Sequence, residues 1–190
     1  MKEYVKIDLD TGEIVEPVLY DDSKNPPPED LKAPWDGFTP FYKPVWSFEK
    51  DMWIESLSIE EIIRPVRERR VKEISNECEI IIKYGFEYLG DFFAFQDKDQ
   101  TNFNQQLSLM LLDSTLESVV WKTENNGVKI FDRNHFIEVC KAGERHKRQM
   151  ISKYWQVKNY VETTNFASAD EINAINMNTD VSLLMKEQGS

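Results

Sequence analysis

The sequence predicts an α+β protein with an N-terminal β-hairpin region, a central helix, and a C-terminal domain of short hairpins packed with helices. Three observations support this prediction. Alternating apolar residues around a glycine turn open the chain, a helical stripe of apolar residues lies in its middle, and two further turn signals precede a long amphipathic segment. With 190 residues, the chain is long enough for one medium domain or two small ones.

Residues 1–20 predict a β-hairpin. Apolar and polar side chains alternate over positions 5–9, and Gly12 supplies a turn residue that tolerates a positive φ angle. Pro17 lacks the backbone N–H that a central strand needs, so we expect the returning strand at a sheet edge. Residues 21–34 then predict a proline-rich acidic linker that is extended and solvated.

Residues 35–57 predict an aromatic-rich hairpin segment, with strands over 45–48 and 52–54. Its aromatic side chains are suited to three roles: a small core, an anchor for a protein partner, or a platform that stacks on sugar rings. We select Trp46 and Trp53 as the best candidates for partner anchors. The full set of candidate partner-binding residues is Trp35, Phe38, Tyr42, Trp46 and Trp53.

Residues 58–84 predict a kinked helix with a possible role in oligomerisation. Ser58 and Glu61 form a capping box at its start, and Pro65 is expected to kink the helix or to begin a second one. An apolar stripe with steps of three and four residues follows: Val71, Ile74, Cys78 and Ile81. The stripe is too short to form a coiled coil alone, which leaves open a trimer base or pairing with a longer partner helix.

Residues 85–176 predict a C-terminal α+β domain. We expect a hairpin with a Gly90-Asp91 turn, then a helix capped by Asp97 or Asp99, and then a second hairpin with an Asn125-Asn126-Gly127 turn. Both turns carry the residue types that favour tight hairpins. The domain should therefore contain two hairpins separated by one helix.

The end of this domain is predicted to be helical. Asp132 should cap a long helix with a basic side, and Ser168 with Glu171 forms a second capping box for a short closing helix. Residues 177–190 predict a flexible tail.

Composition and charge disfavour several classes of partner. The formal net charge is −11, which argues against binding to nucleic acid or to an anionic membrane surface. The sequence has no uncharged apolar stretch long enough to span a membrane, and its first residues lack the apolar core of a signal peptide. We therefore expect a soluble protein, assembled in a reducing cytoplasm, with neither nucleic-acid binding nor membrane insertion.

The sequence predicts no catalytic residue, no cofactor and no metal site. His135 and His146 lie on one predicted helix about 16 Å apart, too far for one metal ion. Cys78 and Cys140 fall at apolar helix positions, so we expect small buried side chains rather than a disulfide. Paired carboxylates lie in turns, the linker and caps, where solvation or capping explains them. We therefore predict a protein that is not an enzyme and works through binding surfaces.

Two segments resemble phage proteins. Between Phe86 and about Ile175 the order is a hairpin, a helix, a tryptophan strand with an Asn/Gly turn, a long helix and a short closing helix. This order resembles a domain of unknown function found at the ends of bacteriophage tail-fibre and tail-assembly proteins. The segment from Trp35 to Ile62, with its Leu-Ser-Ile-Glu-Glu-Ile ending, is similar to a stretch of prophage tail-associated proteins from Gram-positive hosts.

The resemblance implies a structural or docking component of a bacteriophage-like tail, near the fibre or baseplate. Such a protein would be made in the host cytoplasm and carried in a virion tail or tail-like particle. Its implied partner is a tail-fibre or baseplate protein, and a homotrimer is usual for fibres. Two alternatives stay open: a tail-fibre assembly chaperone, and a receptor-binding module for cell-wall sugar. The family has no known active-site residues to carry over.

Overall fold

The computed structural model describes the backbone of residues 1–35 and 41–187, and the side chains of these residues up to 184. The protein is 46% helical and 23% strand, which confirms the α+β class. The described elements are, in order, β1 (Lys2–Ile7), β2 (Ile14–Tyr20), β3 (Leu31–Lys32), β4 (Pro44–Ser47), β5 (Met52–Glu55), α1 (Ile59–Tyr84), β6 (Phe86–Tyr88), β7 (Asp91–Phe93), α2 (Asp97–Leu112), β8 (Ser118–Thr123), β9 (Gly127–Asp132), α3 (Arg133–Thr163), α4 (Ala169–Ala174) and α5 (Val181–Glu187).

The chain divides into two compact units, and the division falls within α1. Unit 1 is Met1–Pro65 and unit 2 is Val66–Ser190. Each unit has its own buried apolar residues.

Unit 1 contains, within the described residues, an antiparallel sheet in the order β2-β1-β3 and the hairpin β4–β5. The predicted first hairpin and its turn are present, and Gly12 adopts φ +73°. Pro17 lies in β2, at the edge of this sheet, as its missing N–H predicted. The segment 21–34 differs from the expected linker because it contributes β3, where Leu31 is buried.

Gly12 joins the two sheets of unit 1. Its carbonyl accepts a hydrogen bond of 2.9 Å from the backbone N–H of Trp46 on β4. Beside this bond, Glu13 and Val45 form an isolated β-bridge, and the Lys43 ammonium lies 3.0 Å from the Glu13 carboxylate. A Cβ atom on Gly12 would lie 2.2 Å from the Trp46 carbonyl oxygen. The contact therefore requires glycine for both its φ angle and its lack of a side chain.

Helix α1 begins with the predicted capping box. The Glu61 carboxylate accepts a 2.8 Å hydrogen bond from the Ser58 N–H, and the Ser58 hydroxyl accepts one of 3.3 Å from the Glu61 N–H. The helix then continues through Pro65 to Tyr84. Its first turn also carries Glu60, which favours the positive end of the helix dipole.

The apolar stripe of α1 is largely buried within unit 2. Ile74, Cys78 and Ile82 are buried, and Val71 and Ile81 are half-buried. A trimer stays a prediction, while Ile74 and Cys78 of the stripe proposed as its base already pack inside unit 2.

The core of unit 2 is rich in aromatic side chains. Phe136 on α3 is fully buried and stacks on Phe103 of α2 with 5.8 Å between ring centroids. Trp121 of β8 lies 4.4 Å from the Phe103 ring and 5.0 Å from the Phe136 ring. On α3, Gly143 allows Phe86 and other rings to approach the helix closely, since a Cβ there would lie 2.8 Å from the Phe86 ring. The two hairpins and two helices thus share one core.

Two local details differ from the sequence predictions. The β6–β7 hairpin of unit 2 turns at Leu89-Gly90 rather than at Gly90-Asp91. The φ angles of these two residues are +48° and +82°, and Asp91 therefore lies in β7. The N-cap of α2 is Gln96, whose backbone N–H donates a hydrogen bond of 3.1 Å to the Asp99 carboxylate. Asp97 is therefore the first helical residue, where its charge still favours the helix dipole.

The predicted caps of the later helices are present. The Asp132 carboxylate accepts a 2.9 Å hydrogen bond from the His135 N–H at the start of α3. The Ser168 hydroxyl accepts one of 3.3 Å from the Glu171 N–H at the start of α4. The Glu171 carboxylate bonds the N–H of Ala167 rather than that of Ser168.

The C-terminal segment packs on α1 through buried and polar contacts. Arg70 donates to the Ile175 carbonyl and to the carboxylate of Glu77, which in turn accepts a 2.9 Å bond from the Met177 N–H. Met177 and Val181 are buried, and residues 181–187 form α5. The segment 177–190 therefore differs, over its described residues, from the expected flexible tail, because these two side chains anchor it.

Candidate functional site

The aromatic residues of unit 1 form a cluster around Trp53, which we call the tryptophan cluster: Trp35, Phe41, Trp46 and Trp53. The ring of Trp53 lies edge-to-face with those of Trp35 and Trp46, at centroid distances of 5.8 and 5.5 Å. The Trp53 indole N–H donates a 2.7 Å hydrogen bond to the Ala33 carbonyl. Val5 and Ile7 of β1 complete the core, so the cluster connects both sheets of unit 1.

The five candidate partner-binding residues lie in different environments. Trp53 is 6% exposed and belongs to the core. Trp35 and Trp46 are half-buried against it, and the Lys32 ammonium lies 4.9 Å above the Trp46 ring. Tyr42 is 59% exposed, and its backbone N–H donates to the Glu55 carboxylate. Phe38 lies outside the described residues.

Trp35 also lines a groove, here called the Trp35 groove. The groove has a volume of about 460 Å³ and is lined mainly by apolar side chains from β1, β2 and the chain before residue 36: Glu3, Tyr4, Val5, Pro17, Val18, Leu19, Pro34 and Trp35. Leu19, which lines one side of the groove, is 64% exposed. An aromatic ring, two prolines and aliphatic side chains around a concave surface suit an apolar segment of another molecule.

The tryptophan residues therefore divide between two roles. The sequence singled out Trp46 and Trp53, but the structure brings Trp35 to the groove and Trp53 to the core. The groove residues of β1 and β2 were missed by the sequence analysis. The alternation of apolar and polar residues around positions 4 and 18 does not reveal the groove. The groove forms only because β1 and β2 are neighbours in the sheet and lie beside Trp35.

A polar cluster in unit 2 joins its two hairpin turns. The Asp91 carboxylate is buried and accepts hydrogen bonds from the Lys129 ammonium and, at 2.7 Å, from the Asn126 amide. These two donors hold the pKa of Asp91 below its ordinary value. The Asn125 side chain bonds Gly90 and Phe92 of the facing hairpin. In the sequence, the asparagine pair predicts a turn, and its contacts with the facing hairpin have no separate signal.

The two histidines of α3 pack against aromatic rings. His135 lies edge-on to the Phe131 ring at 5.2 Å, and His146 stacks on the Phe86 ring at 6.3 Å. Among the described residues, no group of three or more His, Cys, Asp or Glu side chains is placed to hold a metal ion. None of the described helices combines the length and apolar character that crossing a membrane requires.

Both cysteines are free thiols, as predicted. Cys78 is buried, with its Sγ atom 3.5 Å from the Met150 carbonyl oxygen. Cys140 is half-buried, and burial raises the pKa of its thiol from 9.0 to about 11. Burial also raises the pKa of Cys78. A neutral thiol is a weak nucleophile, so both behave as small apolar side chains.

We expect Cys140 to react slowly with a thiol reagent in the native protein. At about pH 8, the raised pKa lowers its thiolate fraction about 100-fold relative to an ordinary thiol. Absorbance assays with Ellman's reagent would measure the rate with and without denaturing urea, and a Cys140→Ser variant would assign the signal. A native rate equal to that in urea would contradict this expectation.

Comparisons with known families match almost the whole described chain. A profile for a domain of unknown function, DUF4376, matches residues 65–176, and a profile for the YomQ N-terminal domain of phage matches residues 1–64. No curated protein and no solved structure matched the chain. The two profiles meet next to Pro65, where the two compact units also divide. The chain is thus a phage-related protein, and it belongs to the DUF4376 family.

Proposed function

We propose that this chain is a non-enzymatic docking component of a bacteriophage-like tail, in the fibre or baseplate region. In this proposal, unit 1 binds an apolar segment of a fibre or baseplate protein in the Trp35 groove. The protein is made in the host cytoplasm and is then carried in the tail. The observation that carries the proposal is the groove itself, with Trp35 and Leu19 at its wall in the phage-derived unit.

The groove supports protein docking for two physical reasons. Its lining is rich in Trp, Tyr and Pro, and Trp and Tyr are enriched among residues that contribute most to protein interfaces. Its wall is also fixed, because Trp35 packs edge-to-face on Trp53 and on Phe41, at centroid distances of 5.8 and 6.4 Å. A preformed apolar site loses little conformational entropy when a partner binds.

We expect Leu19→Lys to prevent docking without unfolding unit 1. Leu19 is 64% exposed, so a lysine is tolerated in the free protein, but its ammonium would lose its water shell beneath an apolar partner. Loss of about 1.4 kcal/mol or more would lower incorporation into purified particles by about tenfold. Quantitative mass spectrometry of particles from a producing host would measure this.

Val15→Lys is the matched control. Val15 lies on the same strand and is 57% exposed, but it does not line the groove. It should be incorporated like the wild type. The proposal fails if wild-type protein is absent from particles, which would favour a transient assembly chaperone. It also fails if both lysine variants are incorporated equally, or if purified protein binds host envelopes through sugar instead.

A further inference from the structure

A second groove lies in unit 2 between α2 and α3, and we call it the α2–α3 groove. Its volume is about 310 Å³. Apolar side chains line its floor: Phe95, Phe103, Leu107 and Cys140. Its lining also includes Gln100 and Asn104 from α2, and Lys141, Glu144, Lys147 and Arg148 from α3. The proposed role of unit 1 makes no use of this surface.

The two walls of the groove carry different charges. The α2 wall offers the neutral amides of Gln100 and Asn104, whereas the α3 wall is basic. The α3 residues that line the groove include three cations, Lys141, Lys147 and Arg148, and one carboxylate, Glu144, which gives this wall a local charge of +2. The whole chain carries −11. A concentration of positive charge on one helix of an acidic protein therefore marks this wall as distinct.

The cations of this wall differ in how far they are neutralised. Lys141 pairs with Glu138 at 2.7 Å, and Arg148 pairs with Glu144 at 3.1 Å. These pairs are exposed, and exposed pairs contribute little and exchange readily. Lys147 donates its 2.7 Å hydrogen bond to the amide oxygen of Gln100, which carries no charge. The ammonium of Lys147 is thus held at the groove and is available to a carboxylate.

The floor is apolar at neutral pH. Phe95 and Phe103 are buried, and their rings lie 5.9 Å apart. The raised pKa of Cys140 keeps its thiol neutral. Leu107 is half-buried at the α2 side. An apolar side chain entering the groove would contact these groups and leave its flanking residues near the basic wall.

We propose that the α2–α3 groove binds an acidic segment of another protein, with one apolar side chain on the floor and flanking carboxylates on Lys147 and its neighbours. Apolar contact supplies affinity, and the basic wall selects acidic sequences at close range. Together with the Trp35 groove, this site would make the chain an adaptor that holds two partners. This proposal can be tested separately from the one for the Trp35 groove, because the two grooves lie in different units.

The test uses the full-length chain and displayed libraries of random peptides about 12 residues long. Enriched peptides are expected to be acidic and to share one large apolar residue. In fluorescence anisotropy with the best peptide at low salt, Lys147→Glu is expected to weaken binding by at least about tenfold, because it replaces attraction with repulsion. Lys72→Glu is the matched control, since it makes the same charge change at an exposed site on α1, and it should keep wild-type affinity.

Four outcomes would overturn the proposal. The first is enrichment of peptides without an acidic bias, and the second is equal affinity of the Lys147→Glu and wild-type proteins. The third is binding of a labelled DNA oligonucleotide that displaces the peptide. The fourth is self-association in sedimentation velocity that Lys147→Glu abolishes, which would assign the groove to a second copy of this chain. Circular dichroism of each variant separates loss of binding from loss of fold.

Discussion

Replacing Gly12 with alanine is expected to destabilise unit 1 by about 3 kcal/mol or more. Gly12 adopts φ +73°, where an alanine costs roughly 1–2 kcal/mol. The new Cβ would also lie 2.2 Å from the Trp46 carbonyl oxygen, and a backbone atom cannot move aside as a flexible side chain can. The turn must then leave β4, which breaks the hydrogen bond between Gly12 and Trp46 and loosens the tryptophan cluster. A total of about 3 kcal/mol or more approaches the whole stability of a 65-residue unit, roughly 3–10 kcal/mol.

Gly127→Ala provides the matched control for this prediction. Gly127 has a nearly identical φ of +74°, but its added Cβ would meet no heavy atom within 4 Å. The control therefore measures the backbone cost alone, and the difference between the two variants measures the close approach at Gly12. Hydrogen exchange with mass spectrometry would follow the peptides of each unit separately. Protected β1 and β4 peptides in the Gly12→Ala protein would contradict the expected result.

Trp53→Ala is expected to destabilise unit 1 by about 3–5 kcal/mol. The substitution removes a core ring that is 6% exposed and contacts Trp35 and Trp46. It also leaves the Ala33 carbonyl without its 2.7 Å hydrogen bond from the indole. The wall of the Trp35 groove loses its support, so docking should fail together with folding. Urea denaturation followed by tryptophan fluorescence and by exchange of unit 1 peptides would measure the loss.

Tyr42→Ala is the comparison for Trp53→Ala, because the sequence predicts a partner-binding role for both residues. Of the two, only Trp53 belongs to the core of unit 1. Tyr42 is 59% exposed, so its removal should change stability by no more than about 0.5 kcal/mol. If Trp53→Ala had an equally small effect, the tryptophan cluster would not be the core of unit 1. If Tyr42→Ala lowered incorporation into particles at unchanged stability, Tyr42 would extend the docking surface beyond the Trp35 groove.

Short-range signals in the sequence predicted much of the secondary structure. The turn glycine at position 12, the capping box of Ser58 with Glu61, and the Asp132 cap all act over four residues or fewer, and all are present. The predicted turn at Gly90-Asp91 was wrong by one residue, because Gly90 occupies the second turn position and not the first. A leucine with a positive φ has no sequence signature.

Long-range contacts decided the roles of the side chains. Asp91 resembles any turn aspartate in the sequence, yet Lys129 and Asn126 from the second hairpin bury it. The helical stripe of α1 predicted an apolar face but could not say whether another chain or this one covers it. Ile74 and Cys78 are buried inside unit 2, so the chain itself covers the middle of that face.

The sequence by itself determined the α+β class, the order of the hairpins and helices, and the resemblance to phage proteins. These depend on residue periodicity and on local hydrogen bonds, which a linear pattern records. Only the tertiary structure decided that Trp53 is a core residue, that Trp35 lines one groove, and that Lys147 borders another. Burial and grooves arise when distant segments meet, and residues of the same type then acquire different exposures and neighbours.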